Sequence, residues 1–281
     1  MNYRHAFHAG NHADVLKHTV LLALLDALKR KPGAFFVLDT HAGRGRYELA
    51  ADASRKTAEA DTGIGKLRTH PALPELLQRY LQAITAHGDG IYPGSPLLAA
   101  GELRENDRLA ACELQPEEAQ ALKALFARDP RVAVHARDGY AATKALLPPS
   151  ASGTKFARGL VLIDPPYEAQ DAEYPQIVTT LKEGLQRWPQ ATWAIWYPIK
   201  QRRRLQPFFR SIAALPARSA LVVELLVRPD DSPLRLNGSG MLLLNPPWQF
   251  DREIAPALPA LRQLLGENGA STRLEWLREA A

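Results

Sequence analysis

The amino-acid sequence predicts an α/β fold, in which helices cover a mostly parallel sheet of seven strands and the last strand runs antiparallel. Short apolar runs alternate with stretches of helical period over most of the 281 residues, as in chains built from strand–helix–strand units. The first run leads into a loop with two glycines, which is typical of the first turn of a Rossmann-like sheet. The connection between the last two runs is too short for a helix, so these strands should pair antiparallel.

The first predicted elements are a helix, a strand and a loop. The helix begins at Asn11, keeps apolar residues at helical spacing and ends before Pro32 and Gly33, which stop it. Residues 34–39 form the first strand, and residues 40–46 form the glycine-bearing loop. Because the helix is apolar along one side, we expect it to pack on the sheet.

Residues 47–92 interrupt the alternation of strands and helices. They are polar at first and then have a helical pattern from 73 to 86. We predict a helical insertion above the carboxyl edge of the sheet, so that residues 1–46 and 93–281 form the main domain and residues 47–92 form a small subdomain. An ordinary surface excursion is the alternative interpretation.

The alternation resumes after the insertion and ends in the antiparallel pair. The predicted helices in this part cover residues 97–105, 116–127, 174–187 and 203–213, and the strands cover residues 108–113, 132–135, 159–163, 191–198, 220–227 and 241–244. The tail after Trp248 carries no motif that we recognise.

The stretch from 159 to 167 organises the candidate site. Its apolar first half predicts a strand that is buried on both faces, and an Asp-Pro-Pro-Tyr motif follows at 164–167. The prolines stiffen the turn, so the Asp164 carboxylate and the Pro165 carbonyl can accept the two hydrogens of an amine while Tyr167 stacks on its ring. Adenine fits this description, and a plain turn is the alternative.

A second motif of the same pattern, Asn-Pro-Pro-Trp at 245–248, follows the last predicted strand. The pattern alone does not separate the two motifs. Because the last strand should run antiparallel to its neighbours, the second motif should emerge at the opposite edge of the sheet, away from the glycine loop. We therefore place the candidate site at Asp164.

The glycine loop indicates which nucleotide-like cofactor the sheet binds. Gly43 and Gly45 give the pattern G-x-G, but Glu48 stands where a dinucleotide motif has its third glycine, which argues against NAD. An acidic strand end followed by this loop suits S-adenosylmethionine. Glu113, at the end of the next strand, would accept hydrogen bonds from the ribose hydroxyls, and the Asp-Gly pair at 138–139 would receive the adenine of the cofactor.

Composition and charge narrow the class of protein. Cys112 is the only cysteine, which excludes a disulfide framework and a cysteine-rich zinc site. No signal peptide or membrane span is recognisable, so we expect a cytoplasmic protein. The net charge of +5 favours a polyanionic partner. Lys200 and the arginines at 202–204 form a basic cluster, for which phosphate binding and a solvated face are the two interpretations.

Histidines are concentrated near the N terminus. Their spacing is irregular and no cysteine accompanies them, so we expect no metal ion. These histidines are His5, His8, His12, His18 and His41.

Five motifs follow one another along the chain between the N terminus and residue 167. They are Y-R-H-A-F-H-A-G-N-H-A-D-V-L-K-H at 3–18, L-D-T-H-A-G at 38–43, G-R-Y at 45–47, Y-P-G-S-P at 92–96 and I-D-P-P-Y at 163–167. In these motifs the chain resembles the RlmJ family of bacterial 23S rRNA adenine-N6 methyltransferases. The resemblance implies a class I methyltransferase fold, S-adenosylmethionine as the methyl donor and an adenine of 23S rRNA as the substrate.

The resemblance also implies roles for single residues. It makes Asp164 the catalytic residue and places Tyr3, His5 and Lys17 near the active site. The positions that it implies for cofactor contact, together with Gly43 of the glycine loop, are His18, His41, Ser95, Glu113, Asp138, Gly139 and Asp164.

Two other functions stay open at this point. A DNA adenine-N6 methyltransferase would use the same chemistry, and a catalytically silent RNA-binding module would keep the fold. The intact Asp-Pro-Pro-Tyr motif favours an enzyme. We expect a monomer that binds 23S rRNA, as naked RNA or at an early stage of assembly, without contact to a membrane.

Overall fold

The computed structural model describes residues 8–49, 59–151, 153–167, 170–233 and 236–279. The strands in these ranges are β1 (Phe36–Asp39), β2 (Arg46–Glu48), β3 (Ile91–Pro93), β4 (Arg108–Glu113), β5 (Val132–Ala136), β6 (Ser150–Ala151), β7 (Thr154–Lys155), β8 (Gly159–Ile163), β9 (Thr192–Ile199), β10 (Ala220–Leu226), β11 (Gly238–Leu244) and β12 (Ser271–Arg278). The α-helices are α1 (His12–Lys29), α2 (Lys66–Arg68), α3 (Glu75–Thr85), α4 (Ser95–Glu102), α5 (Pro116–Leu125), α6 (Gly139–Leu146), α7 (Gln170–Arg187), α8 (Gln206–Ala213), α9 (Phe250–Ile254) and α10 (Ala257–Leu265). A π-helical turn covers Asp61–Gly65, and a 3-10 turn covers Arg202–Leu205. None of the helices in the described ranges is long and apolar enough to cross a membrane.

The main sheet has the spatial order β12-β10-β11-β9-β8-β1-β4-β5. β1 pairs in parallel with β4 and β8, and these strands pair in parallel with β5 and β9. β11 lies between β9 and β10 and runs antiparallel to both. The predicted α/β fold and the predicted antiparallel pair are therefore confirmed.

The sheet has one strand more than the sequence predicted. β12 pairs antiparallel with β10 at the outer edge of the sheet. Most of its residues are only half-buried, and charged residues such as Arg273 and Glu275 alternate with apolar ones. This is the composition of an edge strand with one face in solvent. No recognised motif marks it, so the sequence analysis left the tail unassigned.

The order of the strands reverses between β1 and β8. From β1 the sheet continues to β4 and β5, and from β8 it continues in the opposite direction to β9. In open α/β sheets, ligands bind outside the carboxyl ends of the strands at such a switch point. Asp39 ends β1 and Asp164 directly follows β8, so both acids lie at the switch point.

Helix α1 brings buried polar residues to the same edge. Its N-terminus is capped by Asn11, whose side-chain oxygen accepts the backbone N–H groups of Ala13 and Asp14, each at 3.0 Å. Most of the helix is buried and contacts β8, β11, α4 and α9, so it belongs to the core rather than to an amphipathic surface. Asp14, Lys17 and His18 are polar residues buried near its start.

The segment 47–92 is closed at its base by the antiparallel pairing of β2 with β3. Its described part holds the π-helical turn, α2 and α3, so the helical content matches the prediction. The backbone N–H of Ile64 donates to the Gly10 carbonyl at 2.9 Å, and a Cβ on Gly63 would collide with the same carbonyl. The segment therefore packs directly on the chain that leads into α1. Its status as a separate subdomain stays a prediction.

The Asn-Pro-Pro-Trp motif emerges at the opposite edge of the sheet, as predicted. Asn245 follows β11, and its Nδ2 donates to the Pro189 carbonyl at 3.2 Å. Its backbone N–H donates to the Ser219 carbonyl at 3.0 Å. These two partners precede β9 and β10, so the motif lies at the amino ends of the parallel strands.

Candidate active site

A buried cluster of charges from α1 holds Asp164. The Nζ of Lys17 lies 2.6 Å from Asp164 Oδ2 and 2.8 Å from Asp14 Oδ1. Asp14 is fixed in turn, because the backbone N–H of Gly10 donates to its Oδ2 at 2.9 Å. The side chains of Lys17 and Asp14 are almost fully buried, whereas Asp164 keeps some exposure. One oxygen of Asp164 is therefore anchored, and no residue in the described ranges donates to the other, Oδ1.

Lys17 is a fixed positive charge. Burial alone would lower its pKa, but the charges of Asp14 and Asp164 outweigh burial and raise the pKa of Lys17 well above its usual value. The ammonium group therefore stays protonated at neutral pH and does not act as a base. Its Nζ also lies 5.9 Å from the ring centroid of Trp196, a residue of β9. Lys17 thus connects α1 to the ends of both β8 and β9.

Asp39 is the second acid at the switch point and is 1% exposed. Ser95 Oγ donates to Asp39 Oδ2 at 2.6 Å, and the backbone N–H of His41 donates to Oδ1 at 3.3 Å. Burial raises the pKa of Asp39 to about 7; the hydrogen bond from Ser95 opposes this rise and the charge of Asp164 adds to it. At neutral pH Asp39 is therefore only partly ionised.

The glycine loop is shaped by Gly43, which has φ +61° and so lies in the left-handed region that favours glycine. A Cβ at this position would also collide with the Tyr47 hydroxyl. The Gly43 N–H donates to Glu113 Oε2 at 2.9 Å, and the Gln115 N–H donates to Oε1 at 2.7 Å. Burial raises the pKa of Glu113. Glu113 is thus fixed beside the loop, with lone pairs left to accept from hydroxyl groups.

The end of β5 forms another side of the site. Asp138 caps α6, since its Oδ1 accepts a backbone N–H of the first turn at 2.7 Å. Gly139 packs on the Thr40 carbonyl so closely that a Cβ would collide with it. The rings of His41 and Tyr140 meet edge to face at 5.1 Å, and burial lowers the pKa of His41 to about 4. His41 is therefore a neutral imidazole at the start of the glycine loop.

Tyr167 is anchored in the wall of the site. It has φ 51° and is 8% exposed, and its hydroxyl donates to the Trp196 carbonyl at 2.6 Å. Its ring centroid lies 5.5 Å from those of Tyr174 and Trp196. Pro165 is buried beside it and has no N–H to donate. The stacking of Tyr167 on a base and the acceptor role of the Pro165 carbonyl stay predictions.

His18 is buried and directly follows Lys17 in α1. Its Nδ1 lies 2.8 Å from the Tyr92 hydroxyl, and the two rings stack at 5.5 Å. The Tyr92 hydroxyl lies 3.0 Å from that of Tyr80 in α3. These contacts link α1 to the helical segment, and the predicted contact of His18 with the cofactor stays a prediction.

The structure brings most of the predicted site residues to the carboxyl edge of the sheet, whereas Tyr3 and His5 lie outside the described residues. Sequence reasoning missed the parts played by Asp14 and Trp196, and it recognised Asp39 only as an acidic strand end. The spacing of Asp14 and Lys17, three residues apart on one helix, was an available signal for their ion pair. The site residues at the carboxyl edge are Lys17, His18, His41, Gly43, Ser95, Glu113, Asp138, Gly139, Asp164, Pro165 and Tyr167.

The fold and the site together define a class I methyltransferase that uses S-adenosylmethionine. When the main-sheet strands other than β12 are numbered as they occur in the chain, their spatial order is 6-7-5-4-1-2-3, with the antiparallel strand inserted next to the edge. The residues present fit the methyl donor, because Gly43 gives the loop its left-handed turn and Glu113 offers an acceptor at the next strand end.

Comparison with known proteins gives the family. The family model described as "Ribosomal RNA large subunit methyltransferase D, RlmJ" matches residues 32–278. The chain is 43% identical to Ribosomal RNA large subunit methyltransferase J of Haemophilus influenzae and 38% identical to that of Escherichia coli, over 99% of each chain. It is similar to a Legionella pneumophila protein of known crystal structure, with 33% identity and a TM-score of 0.86 over 95% of this chain and 98% of that one. The chain belongs to the RlmJ family.

Proposed function

We propose that this protein transfers the methyl group of S-adenosylmethionine to the 6-amino group of an adenine in 23S rRNA. The observation that supports this proposal most is the geometry of Asp164. This residue directly follows β8 at the switch point, and the Nζ of Lys17 lies 2.6 Å from its Oδ2. Asp164 is also close to Asp39 and His41. Its charge adds to the rise in the pKa of Asp39 and opposes the lowering of the pKa of His41 by burial. A carboxylate fixed beside the glycine loop is the arrangement that the amine chemistry requires.

The chemistry begins with a weakness of adenine. Its amine lone pair is delocalised into the ring, so the nitrogen is a poor nucleophile. Asp164 Oδ1 and the Pro165 carbonyl would each accept one N–H, which favours a pyramidal nitrogen and concentrates the lone pair on it. A new N–C bond would form as the S–C bond of the donor breaks, and the nitrogen would then release one proton to Asp164 along its hydrogen bond.

Lys17 and Asp14 act through Asp164 rather than on the substrate. The buried ammonium holds Asp164 Oδ2, so only Oδ1 has to be oriented by the incoming amine. Positioning of this kind reduces the entropy that the reaction must lose in its transition state. Tyr167 would stack on the base, which must be unpaired or flipped out of a helix to reach the site. Tyr3 and His5 would approach the same base.

S-adenosylmethionine supplies an electrophilic methyl carbon when it is bound. Glu113 would accept from its ribose hydroxyls, the Asp-Gly pair at 138–139 would border its adenine, and Gly43 would let the backbone approach it. His18, His41 and Ser95 complete the proposed set of contacts. Asp39 holds Ser95 and His41 in place through the hydrogen bonds at 2.6 and 3.3 Å.

The RNA substrate is proposed from the family and the charge. Two relatives that match the chain along its whole length are named as methyltransferases of large-subunit ribosomal RNA. The net charge of +5 suits a polyanion. We propose that a monomer acts on naked or early-assembly RNA in the cytoplasm.

The test is to incubate the protein with labelled donor and unmodified 23S rRNA and to map the modified nucleoside. The proposal predicts N6-methyladenine at one position and no label on duplex DNA. Label on DNA alone would assign a DNA methyltransferase, and tight binding of RNA and donor without turnover would assign a silent binding module.

A further inference from the structure

The segment from Lys200 to Leu205 directly follows β9, and we call it the 200–205 loop. Lys200, Arg203 and Arg204 are exposed, and none of the three forms an ion pair with any residue in the described parts of the chain. Arg44, beside the glycine loop, is by contrast paired with Glu118 at 2.6 Å. Three cations without an acidic partner among the described residues thus lie within five consecutive residues and give the loop a local positive charge. Arg203 Nε donates only to the neutral Gln201 Oε1, at 3.2 Å.

The loop is rigid because its remaining residues are built into the core. Arg202 Nε donates to Glu224 Oε2 at 2.8 Å, and Glu224 is 0% exposed. The backbone N–H of Arg202 donates to Asp230 Oδ1 at 2.7 Å, and Leu205 is buried. Arg202 is therefore a structural residue, although the sequence gives no reason to separate it from its neighbours. Asn237 Nδ2 donates to the Lys200 carbonyl at 2.8 Å, which fixes the start of the loop.

The register of the sheet places the loop above Asp164. Ile163 of β8 pairs with Ile195 of β9, so Asp164 is level with Trp196 on the neighbouring strand. Lys200 lies four residues further on, which is about 13 Å along the strand at about 3.3 Å per residue. A nucleic-acid strand with one phosphate per about 3.4 Å covers that distance with a few nucleotides.

We propose that Lys200, Arg203 and Arg204 bind the phosphodiester backbone of the RNA a few nucleotides from the adenine that enters the site. This inference rests on the proposed function, because it assumes that the adenine at Asp164 belongs to an RNA strand. Cations that project from an anchored backbone and carry no acidic partner bind phosphates without first losing an ion pair. They position the strand and do not read its sequence.

The test compares two charge-matched triple variants of the full-length protein. The first is Lys200→Gln/Arg203→Gln/Arg204→Gln. The control is Lys182→Gln/Arg187→Gln/Arg218→Gln, which removes three exposed cations without ion pairs to described residues. Lys182 and Arg187 lie on α7, which runs back toward the amino edge, and Arg218 precedes β10. Both variants therefore lose the same charge, but from opposite edges of the sheet.

The measurement is the Kd of a labelled 23S rRNA hairpin that the wild-type protein binds, by fluorescence anisotropy over a series of salt concentrations. The first variant should raise Kd about tenfold or more at low salt and lower the slope of log Kd against log salt by about 2 to 3, as expected for three phosphate contacts. The control should bind like the wild type. Equal affinity of the two variants, whether both are weakened or both are unchanged, would overturn the inference.

Two further readings keep the result interpretable. The affinity for S-adenosylmethionine, measured by calorimetry, should be the same in both variants and confirms that they fold. Wild-type protein that binds the hairpin but methylates no adenine would contradict the proposed function, whereas the comparison of the two triple variants would still decide the inference about the 200–205 loop.

Discussion

Two four-residue motifs with the same pattern lie at opposite edges of the sheet. The Asp-Pro-Pro-Tyr motif follows β8, which is parallel to its neighbours, and the Asn-Pro-Pro-Trp motif follows β11, which is antiparallel to its neighbours. The backbones of the motifs differ, because the residue with positive φ is the last one of the first motif, Tyr167 at 51°, and the first one of the second motif, Asn245 at 50°. The motifs differ in what surrounds them.

The surroundings decide which motif forms a site. Asp164 meets a buried lysine from α1, and the hydroxyl of Tyr167 is bonded to the strand beside it. The side chain of Asn245 bonds to backbone groups where strands begin, and Trp248 is 82% exposed. The same residue pattern thus belongs to the candidate active site in one place and forms a structural turn in the other, because the direction of the preceding strand determines which residues surround the motif.

The largest expected effect comes from truncating the first residue of each motif. Asp164→Ala removes the acceptor for the amine and should lower single-turnover methyl transfer about a thousandfold or more while leaving most of the affinity for S-adenosylmethionine. Asn245→Ala should leave methyl transfer within about threefold and cost about 1–2 kcal/mol of unfolding free energy through its lost backbone hydrogen bonds. Unchanged methyl transfer in the Asp164 variant would refute its assignment.

The next effect tests the cation that only one motif has. Lys17→Met leaves Asp14 and Asp164 as buried carboxylates without a counter-charge, which should cost about 3–5 kcal/mol of unfolding free energy. Methyl transfer by the protein that stays folded should fall about a hundredfold. Asp14→Asn keeps Lys17 beside Asp164, so methyl transfer by this variant should fall only about tenfold. Urea unfolding and single-turnover assays measure both effects, and a Lys17 variant with normal turnover would remove it from the account.

The ionisation of Asp39, at the carboxyl edge, should make the stability of the protein depend on pH. The pKa of Asp39 is about 7 in the folded protein against 3.8 for the ordinary carboxyl group. Between these values the unfolded chain has lost a proton that the folded chain keeps, so the contribution of Asp39 to the free energy of unfolding should fall as the pH rises from about 4 to about 7, by at most about 4 kcal/mol. The lowered pKa values of His41 and His12 contribute in the opposite direction in both proteins, so the prediction concerns the difference between wild type and Asp39→Asn. Asp39→Asn should remove this fall and match the wild type near pH 4. Equal pH profiles of the two proteins would show that Asp39 has an ordinary pKa.

The smallest effects come from the aromatic residues of the two motifs. Tyr167→Phe keeps the ring but loses the hydrogen bond to the Trp196 carbonyl, which should cost about 1 kcal/mol of unfolding free energy and a few-fold in methyl transfer. Trp248→Ala, at a surface position, should change the stability by no more than about 0.5 kcal/mol and leave turnover unaltered. Thermal melting separates the two variants. A larger loss of stability in Trp248→Ala would mean that the exposed ring has a partner.

The sequence predicted the features that depend on strand direction. The ends of β1, β4 and β8 carry Asp39, Glu113 and Asp164, and alternation with helices makes these strands parallel, so their ends meet. The antiparallel β11 followed from the short connection before it. These are properties of local pattern and of chain connectivity.

The features that the sequence did not predict depend on contacts between distant residues. An acid near the start of α1 is an ordinary helix feature, and only the fold shows that Asp14 shares Lys17 with Asp164. β12 has eight residues, but it carries no recognised motif and charged residues interrupt its apolar ones, so the sequence does not distinguish it from a surface loop. Arg202 differs from Arg203 only because the buried Glu224 lies beside it.

The most direct test of the account is a double-mutant cycle, in which the Asp164 carboxylate and the amine that it should hold are removed singly and together. Two RNAs that carry either adenine or a purine without the 6-amino group at the mapped position are bound to wild type and to Asp164→Ala, with S-adenosylhomocysteine present. The account predicts that the wild type prefers adenine about tenfold or more and that the variant has lost this preference, as expected for a hydrogen bond to a charged group. An equal preference in both proteins would show that Asp164 does not hold the amine.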